Sequence, residues 1–133
     1  DEGILTWLED HICMIPMFPR RSDCDLMAGK NITKQGVEML AKAAENCWNY
    51  ILLRDLKGFA SAFLASFEAQ LSLFPGMIQP GVQEYIDKYS QMPGVLAWKM
   101  SGAGGGGYLV MVCQSRADFP SGAIDLHIRR EKL

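Results

Sequence analysis

The chain contains 133 residues, of which 49% are hydrophobic and 21% are charged, a composition typical of a single globular domain. This composition excludes an intrinsically disordered chain, and the net charge of −2 argues against nucleic-acid binding, which usually needs a basic surface. No apolar run approaches the roughly 18 residues of a membrane span. The sequence therefore predicts one soluble domain over residues 1–133, with neither a nucleic acid nor a membrane as its partner.

Cysteine and histidine usage favours a reducing compartment and no metal site. The chain contains no Cys-x-x-Cys pair and no signal-sequence pattern, so we expect free thiols in a cytoplasmic protein. His11 and His127 are far apart in the sequence, and neither has the spacing of a metal ligand set. The four cysteines are Cys13, Cys24, Cys47 and Cys113.

The first segments of the chain favour strands followed by an irregular loop. Residues 4–18 are mostly apolar and rich in β-forming residues, which predicts one or two strands that end at the prolines of this segment. Residues 19–33 are polar and contain many turn-forming residues, so a loop is expected there.

Two long helices are predicted in the middle of the chain. Apolar residues recur at the spacing of a helix over residues 34–53 and again over about residues 55–73. Thr33 and Asp55 are candidate N-caps, because their side-chain oxygens can accept free backbone N–H groups. The short junction between the two helices predicts an antiparallel pair. The apolar positions of the first helix are Val37, Leu40, Ala41, Ala44, Trp48, Ile51 and Leu52.

The C-terminal half supplies the remaining elements. We predict a third helix over residues 80–90 and strands over residues 95–98, 108–113 and 123–129. Because strands and helices are grouped along the chain, the order favours an α+β fold. We therefore expect a mainly antiparallel sheet with two to three helices packed on one face.

Four polar residues outside the glycine-rich segment are candidate substrate ligands, each with a simpler alternative. Arg20 and Arg21 could bind a phosphate group through their guanidinium groups, or could form a solvated basic turn. Glu68 and Gln70 follow an apolar helical stripe and could hydrogen-bond a substrate, or could form the exposed flank of that helix.

Residues 101–107, SGAGGGG, form the glycine loop, the segment that most strongly indicates binding. Without Cβ atoms, backbone N–H groups can approach an anion closely; the alternative is a tight hairpin in which glycine only relieves crowding. The loop fits Gly-x-Gly-x-x-Gly, but a strand follows it instead of a helix, which rejects a dinucleotide site. The Lys99 ammonium could face phosphate or solvent. The candidate binding residues are Lys99, Ser101, Gly102, Ala103, Gly104, Gly105, Gly106 and Gly107.

Residues 94–108, GVLAWKMSGAGGGGY, resemble the third, C-terminal motif of the GHMP kinases, the superfamily of galactokinase, homoserine kinase, mevalonate kinase and phosphomevalonate kinase. Residues 66–70, SFEAQ, with Phe74-Pro75 and residues 128–130, resemble its sugar-kinase branch, which includes heptose-phosphate kinases. The resemblance extends over most of residues 32–130. It implies the fold of a GHMP kinase C-terminal domain, whose glycine loop lies beside the nucleotide phosphates and helps to shape the acceptor site.

The resemblance further implies an ATP- and Mg²⁺-dependent kinase that phosphorylates a sugar or sugar phosphate by in-line transfer. The family's N-terminal domain carries a phosphate loop that has no match in this chain, and the start at Asp1 instead of Met favours a fragment of a longer kinase. We expect the isolated chain to be inactive, to bind no cofactor tightly and to self-associate through a face that normally docks the N-terminal domain. A non-catalytic binding or assembly module that retains the fold is the alternative.

Overall fold

Four strands form one antiparallel sheet in the computed structural model, which describes residues 1–19, 29–101 and 107–130. The strands are β1 (Ile12–Pro16), β2 (Val95–Met100), β3 (Tyr108–Cys113) and β4 (Ile124–Asp125). Their order across the sheet is β2-β3-β1-β4, so β3 and β1 are the central strands. The β1–β3 pairing runs from Ile12 opposite Val112 to Pro16 opposite Tyr108.

Four α-helices accompany the sheet within the described ranges. They are α1 (Glu2–His11), α2 (Lys34–Leu53), α3 (Leu56–Leu73) and α4 (Val82–Ser90). The predicted N-caps of α2 and α3 are confirmed. Thr33 Oγ1 accepts the Gly36 N–H at 2.9 Å. Asp55 Oδ1 accepts the Gly58 N–H at 3.0 Å.

Helices α2 and α3 pack as the predicted antiparallel pair, and two glycines set how closely they approach. A Cβ atom on Gly36, near the start of α2, would lie 2.6 Å from the Leu73 side chain at the end of α3. A Cβ atom on Gly58, near the start of α3, would lie 2.4 Å from the Tyr50 ring near the end of α2. Neither position accepts a larger residue unless its neighbour shifts.

Several large apolar side chains of α2 lie outside the core. The buried residues of α2 are Gly36 and Ala43, whereas Val37, Trp48 and Leu52 are 48%, 59% and 49% exposed. Most of the predicted apolar face of α2 therefore points away from α3 and the sheet. We call its exposed members the exposed stripe: Val37, Ala41, Ala44, Trp48 and Leu52.

The prediction of a strand at the start of residues 4–18 is wrong, because Glu2–His11 form helix α1. The Asp1 carboxylate caps this helix by accepting the Gly3 N–H at 2.7 Å. The Trp7 ring packs on the side of α1 that faces α3, with its centroid 5.9 Å from that of Phe59. The cap and the burial of one helix side outweigh the β-propensity of the segment, and only β1 remains as a strand.

Two C-terminal elements are shorter than predicted. Helix α4 begins at Val82, after Gly81 in a left-handed conformation with φ +93°. Of the strand expected over residues 123–129, only Ile124–Asp125 pair with β1. Beyond this pair a side chain replaces the strand partner, since the Ile128 N–H donates to Glu9 Oε2 at 2.7 Å.

Side chains alternate along the strands between two apolar clusters on opposite sides of the sheet. The first cluster joins alternate residues of β1 and β3 to α4, and includes Cys13, Ile15, Leu109, Met111, Cys113, Val82 and Ile86. The second joins intervening strand residues to α3, and consists of Ile12, Ala97, Val112, Phe59 and Ala60. Partly buried residues of α1 and α2 pack against this second cluster. The predicted α+β class, an antiparallel sheet with helices packed on it, is confirmed.

The cysteines that the structure describes are free thiols, as the sequence predicts. These are Cys13, Cys47 and Cys113, and Cys24 lies outside the described residues. A hydrogen bond with Cys113, together with burial, raises the pKa of the Cys13 thiol and so favours its neutral form. None of the described helices has both the length and the apolar character needed to cross a membrane.

A carboxylate–guanidinium pair, which we call the terminal clamp, joins the two ends of the chain. Arg130 Nη2 donates to Glu9 Oε1 at 2.8 Å, and Arg130 Nη1 donates to Glu9 Oε2. The same guanidinium donates to a Glu2 carboxylate oxygen at 3.1 Å and to the Ile128 carbonyl at 2.6 Å. Glu9 is 9% exposed, and the hydrogen bonds from Arg130 and from the Ile128 N–H lower its pKa to about 2.

Replacement of Glu9 by Gln should remove the pH dependence that the terminal clamp adds to stability. Folding lowers the pKa of Glu9 from 4.5 to about 2, so its ionised form stabilises the fold above pH 4.5, and this contribution is lost as the pH falls toward 2. Urea unfolding across this pH range should therefore show a shallower loss of stability for Glu9→Gln than for the parent chain.

The matched control for this experiment is Glu38→Gln. Glu38 forms an exposed ion pair with Lys34 at 4.0 Å, and such pairs contribute little to stability. Its pH profile should follow that of the parent chain. Equal profiles for the parent chain and Glu9→Gln would contradict the role of the clamp.

Candidate functional site

Backbone hydrogen bonds hold both described ends of the glycine loop. The Ser101 N–H donates to the Tyr108 carbonyl at 3.0 Å and closes the β2–β3 hairpin. The Gly107 N–H donates to the Phe18 carbonyl at 2.7 Å, and the Gly107 carbonyl accepts the Met17 N–H at 2.8 Å. The second end of the loop is therefore tied to the segment that leaves β1. Residues 102–106 lie outside the described part of the chain.

Gly107 requires glycine because of its conformation and not because of crowding. Its φ is +82°, in the left-handed region where side chains other than glycine are strained. A Cβ atom built on Gly107 would meet nothing within 4 Å. This conformation lets the chain enter β3 while Gly107 pairs with the segment after β1.

The Lys99 side chain lies in the contact between β2 and α3. It does not extend into solvent, the second of the two orientations that the sequence allows. Its Nζ donates to Ser66 Oγ at 3.1 Å, and Ser66 is buried on α3. Ser66 Oγ in turn donates to the Phe63 carbonyl at 2.7 Å. Lys99 therefore links the end of β2, directly before the glycine loop, to the middle of α3.

The surroundings of Lys99 shift its protonation and that of a nearby thiol. Burial lowers the pKa of the Lys99 ammonium, and Cys47 on α2 opposes that shift. Burial likewise raises the pKa of the Cys47 thiol, and the charge of Lys99 opposes it. The Ser66 hydroxyl is the neutral acceptor for the half-buried Lys99 ammonium. Loss of this hydroxyl would leave the ammonium without its hydrogen bond.

The other candidate ligands are placed differently by the fold. Gln70 lies one helical turn after Ser66 on α3, and its Oε1 is buried with no hydrogen-bond partner among the described residues. Glu68 is exposed on a different side of α3. Arg20 and Arg21 lie outside the described residues.

Ser66 is the residue that sequence reasoning missed as a functional contact. The signal was a serine placed among the apolar positions of α3, between Phe63 and Phe67, in a helix predicted to pack on the sheet. A polar side chain on the buried side of a helix needs a hydrogen-bond partner, and Lys99 is a charged residue in an otherwise apolar strand. The hydrogen bond between them accounts for a polar residue on the buried side of α3 and a charged residue in β2.

The described residues do not by themselves complete a site for ATP or Mg²⁺. The N–H groups of Ser101 and Gly107 are used within the fold, and the Lys99 ammonium is bonded to Ser66. Over residues 1–19, 29–101 and 107–130, no group of three or more His, Cys, Asp or Glu side chains is arranged to hold a metal ion. The described part of the chain holds the two end residues of the loop, Ser101 and Gly107, and does not itself supply a set of ligands for ATP or Mg²⁺.

The Ser66–Lys99 contact can be tested by a double-mutant cycle. Ser66→Ala removes the acceptor of a half-buried ammonium, so we expect a loss of about 1–2 kcal/mol in the free energy of unfolding. Lys99→Met removes the charge that needs this acceptor, so Ser66→Ala should cost much less in the Lys99→Met background. Chemical denaturation of the parent, both single variants and the double variant measures the coupling. An equal cost in both backgrounds would show that Ser66 does not serve Lys99.

Comparison with known proteins identifies the family of the chain. The family described as GHMP kinases C terminal matches residues 30–120, more than half of the chain. This stretch contains α2, α3, α4, β2, β3 and the glycine loop between the last two strands. No curated protein matches the chain. On the family match, the chain belongs to the GHMP kinase C-terminal domain family.

Proposed function

We propose that this chain is the C-terminal domain of an ATP-dependent kinase whose acceptor is a sugar or a sugar phosphate. The observation that carries the proposal is the glycine loop, which lies inside the family match and is held at both ends by backbone hydrogen bonds. Ser101 and Gly107, the two flanking residues, are held by these bonds, and the N–H groups between them are proposed to bind phosphate oxygens. The sugar acceptor follows from the resemblance of residues 66–70 and 128–130 to the sugar-kinase branch.

In this proposal Mg-ATP supplies the phosphoryl group, and the residues of this chain position it. Ser101 and Gly107 use their own N–H groups within the fold, so the N–H groups of residues 102–106 are those proposed to approach the phosphates. Lys99 is a positioning residue, because its bond to Ser66 holds the end of β2 against α3 just before the loop. The magnesium ligands are proposed to come from another domain of the kinase.

Three of the candidate substrate residues keep a role in the proposal. Arg20 and Arg21 keep their proposed role as phosphate ligands, because in the sequence they closely follow Met17 and Phe18, the residues bonded to Gly107. The buried, unpartnered Oε1 of Gln70, seen within the described residues, supports a polar contact on that side of α3. Glu68, which is exposed elsewhere on α3, has no comparable support.

We further infer that an N-terminal kinase domain completes the enzyme and that the protein works in the cytoplasm. The exposed stripe of α2 supports a docked domain, since contiguous exposed apolar surface usually marks an interaction site. The isolated chain is then inactive, because the parts that bind the metal and activate the acceptor hydroxyl lie in the other domain.

The glycine loop should respond to nucleotide phosphates even in the isolated chain. Titration with Mg-ATP and Mg-ADP, followed by amide NMR, should shift resonances of residues 101–107 and few others. Adenosine is the control ligand, because it carries the base and ribose but no phosphate, and it should leave these resonances unchanged. An unchanged loop at saturating Mg-ATP, also after addition of a separately produced N-terminal half, would favour a non-catalytic module.

The exposed stripe should cause self-association of the isolated chain. Trp48 and Leu52 are 59% and 49% exposed, so burial of this surface between copies is favourable, and their replacement by Ser should not unfold the helix. Sedimentation equilibrium should show association of the parent chain and a monomeric Trp48→Ser/Leu52→Ser variant with an unchanged circular dichroism spectrum. A monomeric parent chain that binds no hydrophobic dye would contradict the docking face.

A further inference from the structure

A groove of about 470 Å³ lies between α4, the end of β1 and the turn at residues 121–122. We call it the α4 groove. Its volume is within the range of roughly 300–1,000 Å³ that is typical of small-molecule sites. The lining side chains that determine its chemistry are Glu84, Tyr85, Lys88, Tyr89 and Ser121.

Two tyrosines form the apolar wall of the α4 groove. Tyr85 and Tyr89 are one helical turn apart, their ring planes differ by 13°, and their ring centroids are 6.3 Å apart. This separation is within the range of direct aromatic contact, so a ligand ring can lie against the pair but not between its members. The ring of Phe18 packs beside the pair, with its centroid 6.0 Å from that of Tyr85, but lines a neighbouring hollow and not the groove.

The polar groups of the α4 groove are balanced in charge and in hydrogen-bonding type. Lys88 Nζ lies 5.1 Å from the centroid of the Tyr89 ring, so a cation–π contact holds the ammonium at the aromatic wall. Within the part of the chain that the structure describes, the Glu84 carboxylate has no hydrogen bond or ion pair, and it is exposed. Ser121, in the turn at residues 121–122, adds a hydroxyl-bearing side chain to the lining.

These groups favour a neutral ligand that carries several hydroxyl groups. The charges of Glu84 and Lys88 cancel, so the groove does not select an anion or a cation. A carboxylate only accepts hydrogen bonds, an ammonium only donates them, and a ligand hydroxyl does both, so neighbouring hydroxyls can satisfy Glu84 and Lys88 together. The C–H faces of a sugar ring supply the apolar surface that packs against tyrosine.

We propose that the α4 groove binds the ring of a neutral monosaccharide. A smaller hollow of about 260 Å³, lined by Pro16, Phe18, Gly107 and Tyr108 among others, shares Pro16 with the groove and leads toward the end of the glycine loop. The identification of this sugar as the phosphate acceptor rests on the proposed function. The proposal that the groove binds the sugar rests only on the residues that line it.

Sugar binding can be measured on the whole chain without nucleotide. Amide NMR titrations with D-galactose, D-mannose and L-fucose should give saturable shifts at residues 84–89 and 121–122 for at least one sugar. Glu84→Ala and Lys88→Ala should each weaken that binding by about tenfold, the loss of one hydrogen bond to a charged group. Asp87→Ala is the matched control, because Asp87 is an exposed residue of α4 outside the groove and should leave sugar binding unchanged.

Adenosine and inorganic phosphate serve as the competing ligands. The absence of saturable shifts in the α4 groove for all three sugars overturns the inference. Saturation of the groove by adenosine or by phosphate would instead assign it to a nucleobase or an anion, and this too overturns it. A chain that binds sugar but shows no Mg-ATP response in its glycine loop would keep the sugar site and lose the kinase proposal, so the two failures are distinguishable.

Discussion

The paired hydrogen bonds of Gly107 with the segment after β1 hold one end of the glycine loop against the end of that strand. Through its N–H and its carbonyl, Gly107 joins Phe18 and Met17, and the next residue, Tyr108, pairs with Pro16 at the start of β3. The end of the glycine loop and the end of β1 are therefore one structural unit. Because Pro16 also lines the α4 groove, the groove and the loop occupy the same end of the molecule.

The position of the first end of the glycine loop depends on a different kind of interaction. Lys99 is a charged residue near the end of β2, where its neighbours in the sheet are apolar. A half-buried ammonium is stabilised only when it keeps a hydrogen-bond partner, and Ser66 supplies one from α3. This bond contributes to holding β2 against α3, and removal of Ser66 alone would leave a half-buried charge without its acceptor.

The sequence predicts the fold well where one local signal dominates. The long helical periodicity of residues 34–53 and 55–73, with the caps Thr33 and Asp55, leads to α2 and α3 within about two residues of their observed ends. The continuous apolar run of residues 108–113 likewise predicts β3. These elements depend on neighbours along the chain, which the sequence displays directly.

The sequence predicts less where contacts between distant segments decide the structure. Helix α1 forms in a segment of β-forming residues because Asp1 caps it and its Trp7 is covered by α3, a contact across about fifty residues of chain. The predicted strand over residues 123–129 stops after Asp125, and the Ile128 N–H donates to the Glu9 carboxylate instead of to a neighbouring strand. In the candidate site, the sequence marks Lys99 by its place before the loop and Ser66 as a polar residue on an apolar helix side, but only the packing of β2 on α3 shows that the two are partners.

The family match itself omits a strand on which the site depends. Residues 30–120 contain β2 and β3, but β1 lies before this range and separates β3 from β4 in the sheet. Without β1, one edge of β3 would lose its backbone partners, and Gly107 would lose its bonds to Met17 and Phe18. The terminal clamp between Glu9 and Arg130 joins α1, directly before β1, to the segment after β4. Segments outside the matched range thus hold the strand to which Gly107, the end of the glycine loop, is bonded.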